Sequence, residues 1–464
     1  MSLRLLHYSD IENACDEPAR IGRLARALEH YRDEHTIVAG TGDNTAPGVL
    51  PMVTEGRQSL EFFEAVSPDI ETFGNHDFDF GVDATRDIVA ASPQTWISAN
   101  VHRNGSRFGA DLGVEPWTLL ERNGVTVGCT GVTTPRTASL NPMATELSFS
   151  DPVEAVSEAA AELRAQGADI VVVCSHLGRG DDDLARAVDV DVILGGHVAS
   201  QRTDVIDGTL LTRPGDGGTA VTEVTIDPDT LTPTATVHET NTLEPASAVV
   251  ETFEALRSET GLETTVASVD EPLDRSETTL FGGESRVGNF VADAYRWKTG
   301  ADVGLQNSGG LRTGTTLVGD VTVADMISLV PFDEPVAVAA VSGQTLQSVF
   351  EEAAGVDLGF AEPNWWHAQV SGVTLEWDPT THDVAVQSVG GAPFEPEATY
   401  QLATSSYLFH TDDEFPSLER GTQTHQTELS QYEILAEYAR ECGIDPSLEG
   451  RVQRIEGTES ANSE

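Results

Sequence analysis

The sequence predicts an α/β fold in two domains. Short β-branched runs alternate with amphipathic helical stretches, and the runs end in polar or glycine-rich turns. At 464 residues the chain also exceeds what one hydrophobic core ordinarily serves.

Taken in order, Leu3-Arg4-Leu5-Leu6 is the first run and leads to Asp10. Residues 18–31 have helical spacing, and Thr36-Ile37-Val38-Ala39 then runs into Gly40-Thr41-Gly42-Asp43. A second crossover helix over 151–166 opens with Asp151-Pro152, as an N-cap and a first-turn proline should. Ile170-Val171-Val172-Val173 delivers His176, and Val190-Asp191-Val192-Ile193-Leu194 delivers Gly195-Gly196-His197. The polar groups therefore gather at strand C-terminal ends, where open α/β sheets build their sites. Residues 219–240 alternate like β structure, and 243–261 read as an acidic amphipathic connector. Later come a helix over 287–298, strands over 303–305 and 336–341, and a helix over 431–442. The expected boundaries are a first domain over 1–244, a linker helix over 245–265, a second domain over 266–456 and a tail over 457–464.

Composition narrows the possibilities. There are 26 basic and 76 acidic side chains, a formal charge of -50, and Lys298 is the single lysine. Hydrophobic residues at 39%, regularly spaced, argue for folded cores, so the charge belongs on the surface. Such a surface suits molar salt, where screening shortens charge repulsion to about 3 Å, and a halophilic protein is expected. The same envelope repels polynucleotides, and no basic stripe compensates. No apolar run approaches the ~20 residues of a membrane span and no leader-like segment opens the chain, so the expectation is a cytoplasmic protein without a membrane partner. Cys15, Cys129, Cys174 and Cys442 lack metal-type spacing, and buried free thiols are expected.

The polar clusters read as a site for two hard cations. Two metals about 3.5–4 Å apart need a shared carboxylate with oxygen and imidazole ligands around it. Asp43, thrust out by a glycine turn, is the candidate shared carboxylate, although an isolated G-x-G-D is an ordinary Asx turn. In Gly74-Asn75-His76-Asp77-Phe78-Asp79, the Asn75 amide oxygen suits a hard cation, His76 can protonate a leaving oxygen, and Asp79 can orient that imidazole. His176 and His197 each offer one imidazole.

These blocks resemble the calcineurin-like metallophosphoesterases, and with the second domain they are similar to the bacterial 5'-nucleotidase and UDP-sugar hydrolase family, of a haloarchaeal type. The resemblance implies a four-layer metallophosphoesterase domain of β-sheets flanked by helices, followed by an α/β substrate-binding domain. It implies a second metal site of Asp43, Asn75, His176 and His197. The first site keeps Asp10 and Asp43, but the family's D-x-H reads Asp10-Ile11-Glu12, and the ligand two residues past the last histidine is Ala199. Glu12 then stands in for an imidazole, which favours oxygen-seeking Mn²⁺ or Mg²⁺ over Zn²⁺; Co²⁺ completes the candidate set, with Mn²⁺ preferred. A Glu12 pointing to solvent would leave one metal only.

In the second domain Asn307-Ser308-Gly309-Gly310-Leu311-Arg312 resembles the family's N-G-G-G-[IV]-R block, implying that Asn307, Gly309, Gly310 and Arg312 hold the substrate, with Arg312 on its phosphate. Phe332 lies in a Pro-Phe turn that resembles another binding segment, and Tyr407 matches a base-stacking aromatic. The family's G-G-D-G-F reads Thr411-Asp412-Asp413-Glu414-Phe415, which keeps Asp413 and loses the glycines. A second stacking aromatic is Phe360, Trp365 or Trp366. The implied activity is metal-dependent hydrolysis of nucleoside 5'-monophosphates by a monomer or dimer. The alternatives are a UDP-sugar or dinucleotide pyrophosphatase, a 2',3'-cyclic nucleotide phosphodiesterase, or a catalytically impaired nucleotide-binding protein.

Overall fold

The computed structural model describes residues 2–355 and 364–455. Phe360 and the 457–464 tail fall outside them. The chain divides into two compact units, Met1–Thr260 and Gly261–Glu464.

The first unit is built on two six-stranded sheets. In one, Leu3–Tyr8, Thr36–Thr41, Ile70–Thr72 and Thr95–Trp96 run parallel side by side, and the antiparallel pair Ala220–Ile226 and Pro233–Glu239 extends the Leu3–Tyr8 edge. In the other, Val125–Thr133, Ile170–His176, Val192–Gly195 and Thr209–Arg213 are parallel. Leu3, Leu5, Ile37 and Ala39 from the first sheet share one buried core with Val172, Cys174, Val192 and Leu194 from the second. Each Leu, Ile or Val among them contributes roughly 1.5–3 kcal/mol on burial. The outer face of the second sheet buries Val171, Val173 and Ile193 against Val156 and Leu163 of the Pro152–Ala165 helix. Asp151 caps that helix, accepting from the Val153 and Glu154 amides. The layering is that of the four-layer α/β domain that the resemblance implies.

The Ser247–Glu259 helix, expected as part of a connector, lies within the first unit. Ala246 N donates to Gly22 O, and Arg257 Nη1 donates to Asp16 O. The second unit centres on a five-stranded mixed sheet ordered Ala368–Ser371, Val303–Asn307, Thr399–Ser405, Pro335–Ser342 and His425–Ser430. The Arg286–Thr299 and Gln431–Cys442 helices pack on it. Cys15, Cys129 and Cys174 are buried thiols, and Cys442 is exposed. Among the described residues no helix is long and apolar enough to cross a membrane.

Candidate metal centre and substrate site

The candidate ligands of the first unit converge at the C-terminal ends of the parallel strands. One ligand atom each from Asp43, His176 and His197 lies within 4.8 Å of the others, and the same holds for Asp10, Glu12 and Asp43. Asp43 belongs to both triads. Its loop is pressed against Gly74, where a Cβ would sit 2.1 Å from Asp43 Oδ1; that space lets His76 N donate to the same oxygen at 2.7 Å. Asp10, Glu12, Asp43 and His197 all hold positive φ angles between 47° and 71°. Such backbone is costly for residues with side chains and persists where the surroundings impose it.

The His176 imidazole is oriented by its partners. The Thr41 carbonyl can only accept, so His176 Nδ1 donates to it at 2.7 Å and Nε2 is turned toward Asp43 Oδ2, 2.9 Å away. Two groups with lone pairs that close repel unless a proton or a cation lies between them. Burial works against protonation of His176, but Asp43 outweighs it and raises the pKa to about 10. Around it, burial raises Asp10 to about 7 and Glu12 to about 8, with neighbouring carboxylates adding to the effect, while Asp43 is held at about 2 against its burial by His176 and His76. Burial and His176 depress His197 to about 4, leaving it neutral and able to ligate. Asn75 Oδ1 is buried and accepts no hydrogen bond from the described residues. Three converging carboxylates, the imidazoles of His176 and His197 and a buried amide oxygen fit a pair of divalent cations, whose charge reverses the local pKa logic. Ala199 is exposed and offers no ligand atom.

His76 is partly exposed, with Nδ1 2.9 Å from Asp79 Oδ2. Asn141 Nδ2 donates to Asp79 Oδ1 and to Asn75 O, both at 2.8 Å, and so holds the whole turn. Asp77 is buried and accepts from the backbone amides of Asp43, Asn44, Thr45 and Gly74 and from the Thr45 hydroxyl. Sequence reading assigned no role to Asn141 or Asp77. Asp77 stood inside the Asn75-His76 motif, whereas Asn141 carried no signal.

In the second unit, Gly309 and Gly310 lie in a tight turn after the Val303–Asn307 strand, and the Arg312 guanidinium lies 5.0 Å from the Phe332 ring centre. Asn307 Nδ2 donates to Glu414 Oε2 at 2.8 Å, and His367 Nε2 meets the same oxygen at 2.8 Å. Tyr407 is half-buried, and its backbone amide donates to Glu334. Asp413 is exposed, while Glu414, at the place of a family glycine, turns inward. Of the three candidate aromatics, Trp366 is a core residue packed on Trp377, whereas Trp365 is half-buried and stacks on Phe281 at 4.1 Å.

Comparison with known proteins agrees with both halves. The model of the calcineurin-like phosphoesterase family matches residues 3–201, and that of the 5'-nucleotidase C-terminal domain matches residues 263–420. This is the domain pair of the 5'-nucleotidases. The chain is accordingly a hydrolytic enzyme, and calcineurin-like phosphoesterases use a dinuclear divalent metal centre. It is 23% identical to the trifunctional nucleotide phosphoesterase protein YfkN of Bacillus subtilis over 98% of this chain, and spans only 35% of that relative. It is 26% identical to the apyrase of Tabanus yao, over 94% of this chain and 88% of the relative. The crystal structure of the 5'-nucleotidase precursor from Thermus thermophilus superposes with a TM-score of 0.77 at 23% identity, covering 98% of this phosphoesterase and 99% of that chain.

Proposed function

We propose that the enzyme removes the terminal phosphate from nucleoside 5'-monophosphates. Asp10, Glu12 and Asp43 would hold one divalent cation, and Asp43, Asn75, His176 and His197 a second. When bound, such cations polarise the phosphoryl oxygens and lower the pKa of water. The observation that carries this reading is the membership of Asp43 in both ligand triads. His76, held through Nδ1 by Asp79, presents Nε2 to the leaving oxygen and gives it a proton. In the second unit Arg312 takes the phosphate, Tyr407 stacks on the base, and Asn307, Gly309, Gly310, Phe332 and Asp413 frame the nucleotide.

Phosphate release by the metal-stripped protein from AMP, UMP and UDP-glucose, with Mn²⁺, Co²⁺, Zn²⁺ or Mg²⁺ added back in molar KCl, tests the proposal. Metal-dependent release from the monophosphates is expected. Silence toward every monophosphate with every metal would sink it. The missing ligand at Ala199 supports a second reading, a nucleotide-binding protein with impaired turnover; there, equilibrium dialysis would show AMP bound while no phosphate appears.

A further inference from the structure

Glu71 is a fully buried carboxyl to which neither ligand triad gives a role. It lies amid the three parallel strands from which the ligand loops depart. Tyr8 pairs with Gly40, and Gly40 pairs with Glu71, so the three stand in a row across neighbouring strands. Side chains alternate along a strand, and Leu5, Ala39 and Ile70 face the inter-sheet core; the row therefore faces the other way. Gly40 leaves the middle of the row open. A Cβ there would lie 2.2 Å from both Glu71 carboxyl oxygens. Across that gap Tyr8 Oη reaches Glu71 Oε2 at 2.5 Å, while Asn44 Nδ2 donates to Oε1 at 2.7 Å. Asn44 Oδ1 accepts from Ile11 N at 3.2 Å. One carboxyl is thus joined to the residue two before Asp10, to the residue after Asp43 and, through Asn44, to the backbone between Asp10 and Glu12.

We propose that Glu71 is a positioning residue of the metal centre, forming with Tyr8 and Asn44 over Gly40 a cross-strand brace that sets the separation of the Asp10–Glu12 loop from Asp43. This rests on the reading of those acids as cation ligands. A two-metal site tolerates little slack, because both ions must reach the one shared carboxylate. The physics also separates a brace from plain core filling. A buried carboxyl costs desolvation that an apolar side chain of similar size avoids, so core filling alone predicts that Glu71→Leu folds and binds metal as well as its parent. Burial, against the Tyr8 hydrogen bond and with Asp77 adding to it, lifts the Glu71 pKa to about 8. The group is then mostly neutral at pH 7, and a glutamine can replace it, accepting from Asn44 and donating to Tyr8.

The test is calorimetric titration of Mn²⁺ into the metal-stripped full chain in molar KCl, with near-UV circular dichroism as a check on folding. Glu71→Leu and Gly40→Ala should each weaken at least one binding step by about 10–100-fold, the usual cost of losing a group that orients a metal ligand. Tyr8→Phe, which removes one hydroxyl, should weaken it by about tenfold, and Glu71→Gln should stay within about threefold of the parent. Glu71→Leu binding both ions as tightly as the parent overturns the brace; if that variant does not fold, unchanged binding by Tyr8→Phe overturns it instead. The readout does not depend on turnover. A parent that binds two ions yet releases no phosphate defeats the proposed activity and leaves the brace standing.

Discussion

Asp43 and His176 leave different sheets of the first unit and meet with Oδ2 and Nε2 2.9 Å apart. They are 133 positions apart in sequence, and neither is oriented by the other alone: Thr41 O turns the imidazole, and Asp77 holds the Asp43 backbone. The site is therefore a property of how two sheets stack, and it can be disturbed from either side.

Glu12 and Ala199 define the unusual half of the centre. Glu12→Gln keeps the shape but gives up a charge among three converging carboxyl groups, and Ala199→His supplies an imidazole at the position where the family has a ligand. Titration should show the first substitution weakening one Mn²⁺ site by about tenfold or more and the second shifting preference toward Zn²⁺. In the parent, saturating Mn²⁺ at about 100 times its dissociation constant should stabilise the fold by about 2.7 kcal/mol, read as a melting point that falls on chelation.

His76 supplies a pH signature. Burial lowers its pKa, but the Asp79 and Asp43 carboxylates override that and raise it to about 10. With the folded value above the unfolded one near 6.5, the His76⁺–Asp79 contact stabilises fully below about pH 6.5, and its contribution is lost as pH rises through 10. In the proposed mechanism the same proton serves the leaving group, so kcat should decline on the alkaline side. Asp79→Asn should move that alkaline limb to lower pH, and His76→Ala should cost about 100-fold or more in kcat with little change in substrate affinity. An alkaline limb unmoved in Asp79→Asn would separate Asp79 from the mechanism.

Asp77 gathers four backbone amides and one hydroxyl from the two loops around Asp43 and Asn75. Truncation to alanine leaves those donors buried, at roughly 1–3 kcal/mol for each one that water does not reach. Chemical denaturation should register a loss of at least about 2 kcal/mol for Asp77→Ala, together with weaker metal binding.

The surface charge predicts salt dependence. With a formal charge of -50, like-charge repulsion spans about 10 Å at 0.1 M salt and about 3 Å at 1 M. The melting temperature should rise steeply between dilute buffer and molar KCl. Equal melting in both would refute the halophilic reading.

Much of the first unit was legible in the chain itself. Apolar runs ending in Asp10, Asp43, His176 and His197 are visible because a parallel strand buried on both faces is a continuous hydrophobic stretch, and the chain leaving it must turn at the sheet end. The charge balance, the β alternation over 219–240 and the Asp151 cap were equally local. The fold was required for everything that depends on distant groups sharing one space. Only stacking of the two sheets brings His176 to Asp43; only the open position at Gly40 lets Glu71 reach Tyr8 and Asn44; only inward rotation of the loop after Thr411 sets Glu414 on Asn307 and His367. Periodicity and turn chemistry are short-range and written residue by residue, whereas the direction of a buried polar side chain is decided by whichever partners the packed layers place within hydrogen-bonding reach.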